Sequence, residues 1–254
     1  MTMDETPGTP PPPPSEPPPA TPPPAPPAEP PPVPTTADGP PPGDRVDLGG
    51  YLGQGWQLFA ENPALLGGGF AIVFVILLLA SITVVGPLIL AGPLMAGYYG
   101  IVQKLRNGQE TEFGELFVGF SDFARTCVAG LLVLLVFILG AVVNLVAGFV
   151  LGGIPCLGQI VTFVLGLAIS VVTAGATLFV LPAVTVSPKS ATDALGDNVR
   201  FLQAYPTPAL LLGLVHIGLS LLGSALCIVG LLVTMPIAAG FVMAAYDDYY
   251  TPRV

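Results

Sequence analysis

Three long stretches without a charged side chain dominate the pattern of polar and apolar positions along the chain. Residues 62–103, 126–188 and 201–246 form uninterrupted uncharged runs of 42, 63 and 46 residues. A helix needs about 20 mainly apolar residues to span a bilayer. Each stretch is therefore long enough for two spanning helices.

A turn signal near the middle of each stretch divides it into two helices. The signals are Gly86-Pro87, the glycines and proline of residues 152–155, and the segment from Cys227 to Gly230. Glycine and proline at such positions favour turns over helix continuation. The pattern predicts an all-α integral membrane protein with six transmembrane helices, at about 64–85, 88–106, 126–150, 158–186, 208–226 and 230–247.

The charged connections between these stretches contain short amphipathic segments. Residues 48–61, 113–123 and 191–202 place apolar side chains near helical spacing with a few charges opposite. Segments of this kind beside a spanning helix usually lie in the membrane interface. Aromatic residues at the headgroup level would suit the same place, and we expect Tyr51, Trp56 and the group Tyr246, Tyr249 and Tyr250 there.

The first 44 residues differ from the rest of the chain. They hold 21 of the 31 prolines and almost no large apolar side chain. A segment of this composition cannot bury enough apolar surface to offset its ordering entropy. We predict a disordered, Pro-rich N-terminal tail over 1–44 and a six-helix transmembrane domain over 45–254. The tail is either a solvated spacer or a docking segment for an aromatic-lined groove.

Composition excludes several classes of protein. Hydrophobic residues make up 52% of the chain and charged residues only 9%, whereas soluble domains carry about 25% charged residues. A soluble enzyme, a coiled coil and a nucleic-acid-binding protein are therefore excluded. Six of the sixteen acidic residues lie in the tail, so the net charge of −9 says little about the membrane part.

The basic residues predict the orientation. All seven lysines and arginines precede the first predicted helix, follow the last, or lie at the end of the second helix and in the connections after the second and fourth helices. These positions share one side of a six-helix topology, which the positive-inside rule assigns to the cytoplasm. We expect a multi-pass protein of the cell (inner) membrane with both termini cytoplasmic.

Internal similarity suggests three like-oriented hairpin repeats. Residues 52–67 (LGQGWQLFAENPALLG) resemble 195–213 (LGDNVRFLQAYPTPALLLG), and 85–97 (VGPLILAGPLMAG) resemble 229–240 (VGLLVTMPIAAG). The repeating unit would be an interfacial helix, a spanning helix, a tight turn and a returning helix.

The order of WQLFAENP, GPLMAGYYGIVQKLRNGQ, FGELFVGFSDF and DALGDNVRFLQ resembles a group of uncharacterised bacterial multi-pass membrane proteins. That group is similar to the membrane domain attached to some glycerophosphodiester phosphodiesterases. The resemblance covers about 48–250 and implies a helical membrane fold with no assigned reaction. Nothing in this chain corresponds to the catalytic domain of those phosphodiesterases.

Two polar residues within the predicted helices are candidates for a site. Asn144 and His216 could line a polar path through the membrane, or could simply be satisfied by hydrogen bonds to neighbouring helices. No Asp, Glu, Lys or Arg lies inside a predicted helix core, which argues against an ion-coupled transporter. One histidine makes no credible metal site, and no nucleophile and base can be paired, so neither an enzyme nor a cofactor is expected.

Small residues recur every four positions on the third and fourth helices. Gly140, Asn144, Gly148 and Gly152 form one stripe, and another runs through Gly158, Thr162, Gly166, Ser170 and Ala174. Such stripes let helix backbones approach closely. They predict a tight helix pair with Asn144 hydrogen-bonded inside it.

Two functions from different classes remain open at this point. The first is a non-catalytic protein that organises or regulates membrane partners, with the lipid bilayer and a protein bound through the tail as its partners. The alternative is a transporter or channel for a small uncharged or lipidic substrate, which would pass near Asn144 and His216.

Overall fold

The computed structural model describes residues 46–83, 85–151, 154 and 157–250, and the predicted tail lies outside them. Within these ranges the chain forms nine α-helices and one 3₁₀-helix, without a β-strand. The α-helices are α1 Leu48–Glu61, α2 Pro63–Ala80, α3 Val85–Arg106, α4 Phe123–Leu151, α5 Leu157–Thr177, α6 Val180–Val186, α7 Ala191–Ala204, α8 Pro206–Ala225 and α9 Cys227–Tyr250. The 3₁₀-helix covers Phe113–Phe120.

Six segments are long and apolar enough to cross a membrane, which confirms the predicted number of long apolar helices. They are α2, α3, α4, the combined α5 and α6, α8, and most of α9. The predicted amphipathic segments are also helical, because they form α1, the 3₁₀-helix and α7. Each of these shorter helices precedes a long apolar one in the chain.

The first turn between long helices lies earlier than predicted. α2 ends at Ala80, and Ser81 Oγ donates to the Leu78 carbonyl at 2.6 Å. α3 begins at Val85, so Pro87 falls within its first turn. A proline is tolerated there because the first N–H groups of a helix have no intrahelical partner. The predicted break at Gly86-Pro87 is therefore a helix start.

The fourth predicted helix, 158–186, is broken, which corrects the prediction of one continuous element. α5 ends at Thr177 and α6 begins at Val180, with Phe179 at φ −99° and ψ 3° between them. Pro182 explains the break, because a proline has no N–H to donate and its ring clashes with the carbonyl four residues earlier. That carbonyl belongs to Leu178, at the break itself.

Two joints between short and long helices have nearly the same geometry. Asn62 joins α1 to α2 with φ −131° and ψ 50°, and Tyr205 joins α7 to α8 with φ −130° and ψ 65°. A proline begins the following helix in both cases, Pro63 and Pro206. α1 and α7 are also equal in length, at 14 residues each.

The long helices pack in a ring, in the order α2, α3, α4, α5, α8, α9 and back to α2. The described charged residues all lie near one end of these helices, which we name the charged end. This end consists of residues 46–62, 104–125, 187–205 and 247–250. The opposite, uncharged end carries the helix ends at Ala80, Val85, Leu151, Leu157, Ala225 and Cys227.

The hydrophobic core is concentrated toward the charged end. Its largest fully buried side chains include Tyr98, Phe179, Phe241 and Met243. Among the described residues, no buried hydrophobic side chain lies in 130–173 or in 213–236. Toward the uncharged end, α4, α5 and α8 therefore carry mainly exposed or partly exposed apolar side chains.

Glycines bring helix backbones into direct contact near the charged end. A Cβ added to Gly55 of α1 would lie 2.6 Å from the Ile237 carbonyl oxygen of α9. A Cβ added to Gly130 of α4 would lie 2.7 Å from the Cα of Gly92 of α3, and one added to Gly213 of α8 would lie 2.8 Å from the backbone nitrogen of Gly175 of α5. No larger residue fits such approaches without moving a helix.

Of the C-terminal tyrosines, Tyr246 is buried and Tyr249 and Tyr250 are partly buried, so none of the three is at the exposed position expected for a headgroup anchor. Tyr246 is only 5% exposed, its ring stacks on Tyr250 with centroids 5.0 Å apart, and it meets Phe179 edge-on at 5.9 Å. Phe201 of α7 contacts Tyr249 at 4.8 Å. Trp56 matches the expectation better, because it is 57% exposed on α1.

Ion pairs connect elements at the charged end. Arg106 of α3 reaches Asp247 of α9 at 2.9 Å, and Lys189 pairs with Asp197 of α7 at 2.8 Å. Tyr51 of α1 donates to the Asp248 carboxylate at 2.5 Å. Burial, followed by this carboxylate, raises the pKa of the Tyr51 hydroxyl, so it keeps its proton and remains a donor.

We expect Gly55→Ala to destabilise the protein and Gly53→Ala to stabilise it. Alanine is favoured over glycine in a helix by about 1 kcal/mol, and an added methyl at Gly53 meets no atom within 4 Å. At Gly55 the methyl would press on the α9 backbone, a misfit that typically costs about 1–3 kcal/mol. Thermal unfolding of both variants in detergent measures the difference, and equal midpoints would contradict the close crossing of α1 and α9.

Candidate ligand groove

A groove of about 720 Å³ lies on α5 between α4 and α8. α5 supplies the floor, and the two neighbouring helices supply the walls. The lining is mostly small, hydroxyl or amide residues, and none of it is charged. The residues are Asn144, Gly148, Gly158, Gln159, Thr162, Phe163, Gly166, Leu167, Ser170, Ile217, Ser220, Leu221 and Ser224.

Short side chains on one face of α5 explain why a groove forms there. Gly158, Thr162, Gly166 and Ser170 recur every four residues, so their short side chains share one face of α5. Nearer the charged end α5 and α8 approach closely, since a Cβ added to Gly175 of α5 would lie 2.8 Å from the Ala209 carbonyl oxygen of α8. A groove remains because neither wall sends a large buried side chain across this face.

The groove extends through about half of a membrane. The twelve helical steps from Gly158 to Ser170 cover about 18 Å at about 1.5 Å per residue, whereas the hydrocarbon core of a bilayer is about 30 Å thick. Gly158 is the second residue of α5, so the groove begins at the uncharged end. Its far end reaches the middle of the spanning segment.

Asn144 forms part of the wall from α4 and lies against Gly166. A Cβ added to Gly166 would be 2.9 Å from Asn144 Nδ2 and 3.0 Å from Oδ1. Oδ1 is buried and has no hydrogen-bond partner among the described residues. The hydrogen bond expected for Asn144 inside the helix pair is therefore not made by this oxygen, which accepts from no described residue. A buried acceptor without a partner typically costs about 1–3 kcal/mol.

The hydroxyl groups of the groove all use their hydrogen atoms within their own helices. Thr162 donates to the Gly158 carbonyl at 2.8 Å and Ser170 to the Gly166 carbonyl at 2.8 Å. On α8, Ser220 donates to the His216 carbonyl at 2.9 Å and Ser224 to the Ser220 carbonyl at 2.8 Å. Each hydroxyl oxygen keeps lone pairs, so the lining offers acceptors.

The structure separates the two polar residues that the sequence singled out. Asn144 lines the groove, whereas His216 is absent from its lining. The His216 Nδ1 atom is buried and has no hydrogen-bond partner among the described residues. A path that uses both residues is therefore not formed by this groove.

The predicted glycine stripes lie where α4 meets α5, with different degrees of closeness. A Cβ on Gly140 would be 2.9 Å from Ile169 Cγ2 and 3.0 Å from Thr173 Cγ2, whereas one on Gly148 would make an ordinary contact of 3.5 Å with Thr162 Cγ2. A Cβ on Gly158 would overlap the Leu151 carbonyl. Gly152 lies outside the described residues. The pair is thus close at Gly140 and opens towards Gly148.

Sequence reasoning missed three polar residues of the groove, Gln159, Ser220 and Ser224. The two serines lie four residues apart and so share one face of α8. This spacing repeats the pattern that was noticed on α5, and it was the available signal. The spacing within α8 alone does not reveal that this face turns towards α4 and α5.

A second, smaller cavity of about 210 Å³ lies at the charged end, next to α1 and α3. It is lined by Gln54, Gln57, Leu58, Glu61, Leu105 and Arg106. The Arg106 guanidinium already binds Asp247 and donates to Gln54, so this cavity has no free cation to attract an anion. The described residues include no group of three or more His, Cys, Asp or Glu placed to hold a metal ion.

Comparison with family models, with curated proteins and with solved structures finds no match to this chain.

We expect Gly140→Leu to lower the thermal stability in detergent, because its side chain would overlap Ile169 and Thr173 of α5. Overpacking of this kind costs about 1–3 kcal/mol. Gly218→Leu on α8 is the matched control, since a Cβ there meets no atom within 4 Å. If both leucine variants unfold at the wild-type temperature, α4 and α5 do not pack closely at Gly140.

Proposed function

We propose that this chain is a non-catalytic multi-pass membrane protein that binds an uncharged molecule from the lipid phase in the groove on α5. One observation carries the proposal: an open groove of about 720 Å³ along the spanning helices is lined by apolar side chains with a few hydroxyl and amide groups among them. Ligand pockets typically measure about 300–1,000 Å³ and combine apolar walls with a few polar groups.

The absence of charge in the lining limits what the groove can hold. All thirteen lining residues are uncharged. A charged ligand at membrane depth would lose its hydration without gaining an ion pair, which costs several kcal/mol. The groove therefore suits a small uncharged or lipidic molecule.

The groove is assigned binding and not chemistry. Its hydroxyl groups donate to carbonyls of their own helices, and no acid or base lines the groove to activate them. Release of the ligand on the other side of the membrane would make the protein a transporter. Retention would make it a sensor or a regulator.

The orientation is part of the proposal. The charged end is assigned to the cytoplasm, both termini are placed there, and the membrane is the cell (inner) membrane. The location of Lys104, Arg106, Arg125, Lys189 and Arg200 at this end supports the assignment. The groove then opens in the outer half of the membrane.

We also propose that the chain consists of three like-oriented hairpin units. The matching joints at Asn62 and Tyr205, each followed by a proline, support the equivalence of the first and third units. The second unit differs, since it begins with a 3₁₀-helix and contains the broken α5 and α6. Similarity to the membrane domain of glycerophosphodiester phosphodiesterases is retained as part of this proposal.

The organising role, with a protein partner bound through the tail of residues 1–44, stays a prediction. The tail lies outside the described residues, and among those residues no feature favours this role over ligand binding. Comparing the partners retained by the full chain and by a chain without residues 1–44 in native membranes tests it directly.

We expect Ser220→Phe to prevent ligand binding, because a large ring would enter the groove from the α8 wall. The full chain is purified from its native membrane in mild detergent, and small molecules that remain bound are identified by native mass spectrometry. Wild type should carry an uncharged molecule that the variant lacks.

Gly218→Phe serves as the matched control for Ser220→Phe, because residue 218 lies on the same helix, outside the groove lining and with no atom within 4 Å of an added Cβ. It should retain the bound molecule. If wild type, Ser220→Phe and Gly218→Phe all carry the same molecule in equal amounts, the groove is not its binding site.

The orientation predicts which residues a membrane-impermeant thiol reagent can reach in intact bacterial cells. In a background with Cys127, Cys156 and Cys227 changed to alanine, Ser81→Cys at the uncharged end should be labelled from outside. Asn107→Cys at the charged end should react only after cell lysis. Both positions are exposed, and the reverse labelling pattern would overturn the assignment of the charged end to the cytoplasm.

A further inference from the structure

We infer that residues 113–123 form a re-entrant segment, which turns back below the lipid headgroups beside α3 and exposes an aromatic face to the acyl chains. This goes further than the interfacial position that the sequence predicts for the segment. The inference rests on the membrane location of the long helices and not on the ligand groove.

A tight turn at the end of α3 reverses the direction of the chain. Gly108 has φ +68°, a left-handed conformation that glycine adopts readily. The Gln109 N–H donates to the Lys104 carbonyl at 2.9 Å, and the Gly108 N–H donates to the Leu105 carbonyl at 3.0 Å. These two bonds form a Schellman-type helix end, after which the chain runs back along α3.

The 3₁₀-helix lies directly against the middle of α3. A Cβ added to Gly97 would overlap the Leu116 carbonyl, and one added to Gly119 would overlap the Pro93 carbonyl. Leu116 itself is fully buried. The later residue of the segment meets the earlier residue of α3, so the two elements run antiparallel.

These contacts place the segment well below the end of α3. Gly97 and Pro93 precede Arg106 by nine and thirteen residues, or about 14 and 20 Å at about 1.5 Å per helical residue. A bilayer of about 40–45 Å with a hydrocarbon core of about 30 Å has an interfacial layer of about 5–8 Å on each side. A typical helix tilt of about 20° shortens the depth by only about 6%. Even with Arg106 at the outer edge of this layer, the contacts at Gly97 and Pro93 lie beside the acyl chains.

Both carboxylates of the segment are neutralised within the protein, as this depth requires. Glu115 pairs with Lys104 at 2.7 Å, and Asp122 pairs with Arg125 at 2.6 Å. The Arg125 guanidinium also donates to the Ser187 carbonyl at 2.8 Å. Ionised groups below the headgroups are strongly destabilising unless they are paired. The segment therefore brings no unpaired carboxylate to the acyl chains.

The aromatic face consists of Phe117, Phe120 and Phe123, which follow one another at intervals of three residues. Side chains at this interval align in a 3₁₀-helix, and the neighbouring ring centroids are 6.2 and 6.1 Å apart. Phe117 is 51% exposed and Phe123 is 41% exposed. Exposed apolar side chains continue into α4 at Val128 and Leu131. The aromatic face is therefore continuous with the exposed apolar surface of a long spanning helix.

A protein partner is a poorer occupant of this face than acyl chains. A stable protein interface buries about 800 Å² on each partner, whereas an aromatic side chain offers about 150–250 Å² even when it is wholly exposed. Three partly exposed rings fall short of such an interface. The hydroxyl within the segment, that of Ser121, donates to the Val118 carbonyl at 2.7 Å, so its hydrogen is not free for a partner.

The experiment measures the membrane depth of a tryptophan placed on the aromatic face. Trp56, the only tryptophan of the chain, is changed to phenylalanine, and Phe117→Trp is introduced in this background. The full chain is reconstituted in vesicles of phosphatidylcholine, either unmodified or brominated at the middle of the acyl chains. Bromine quenches a tryptophan that contacts the chains, and iodide quenches one that contacts water.

Two matched variants in the same background set the scale. Leu131→Trp, on the exposed surface of α4, should be quenched by bromine, and Asn107→Trp, at the exposed end of α3, should be quenched by iodide. We expect Phe117→Trp to lose as much fluorescence to bromine as Leu131→Trp does, and to be protected from iodide. Val118→Trp, at a position that is 55% exposed, provides a second test, and thermal unfolding checks that each variant keeps the wild-type stability.

The remaining outcomes each overturn the inference. Quenching of Phe117→Trp by iodide alone would place the segment in water, and weak quenching by both agents would place it among the headgroups. Protection from both would mean that a protein partner or a second copy of the chain covers the aromatic face. None of these results changes the proposal for the groove. If bromine fails to quench Leu131→Trp as well, the membrane location of the long helices is overturned, and both proposals with it.

Discussion

The close contact of helix backbones at glycine residues is the constraint on which the rest of this structure depends. Gly92 meets Gly130 between α3 and α4, Gly175 meets Gly213 between α5 and α8, and Gly55 meets Gly240 between α1 and α9. In a bilayer, helices gain little hydrophobic energy from leaving lipid, so association relies on close packing and hydrogen bonds. These crossings supply such packing toward the charged end.

The same contacts explain why a groove exists at the other end. Where two helices touch near the charged end and carry small side chains nearer the uncharged end, the space between them at the uncharged end is not filled. α4 and α8 flank α5, and the floor residues Gly158, Gly166 and Ser170 are too short to occupy the gap. A tightly packed half and a half with an open groove thus follow from one distribution of glycines.

The sequence was sufficient to predict the number and approximate limits of the long helices, because charge-free runs and turn residues are local signals. It also placed the short helices, including α1 at 48–61. From the sequence, the closest helix packing was expected along the stripes that contain Gly140 and Gly158. The backbone contacts between hairpins are instead made by Gly92, Gly130 and Gly175. Periodicity identifies a small face on one helix, but it does not identify the helix that faces it.

From the sequence, Asn144 was a candidate for a polar site, whereas the small residues that form the groove floor were expected only to pack against a neighbouring helix. Asn144 was chosen because an amide within an apolar helix requires an explanation, and the structure places it at a groove. His216 was chosen for the same reason and lies elsewhere on α8. Ser220 and Ser224 were overlooked, since serines in a membrane helix are ordinary until a facing helix shows that they share a cavity. The break at Phe179 also depends on three-dimensional context, although Pro182 indicated it.

The broken fourth span alters the role of α7. A continuous helix would carry one macrodipole through the membrane, whereas the break places the partial negative charge of the α5 C-terminus within the bundle. The Asn198 Nδ2 atom of α7 donates to the Gly175 carbonyl, one of the last four of α5, at 3.1 Å. Asn198 itself is only 1% exposed. α7, which the sequence predicts to be interfacial, thereby caps the C-terminus of α5, a spanning helix that comes earlier in the chain. It stabilises the partial negative charge at that helix end.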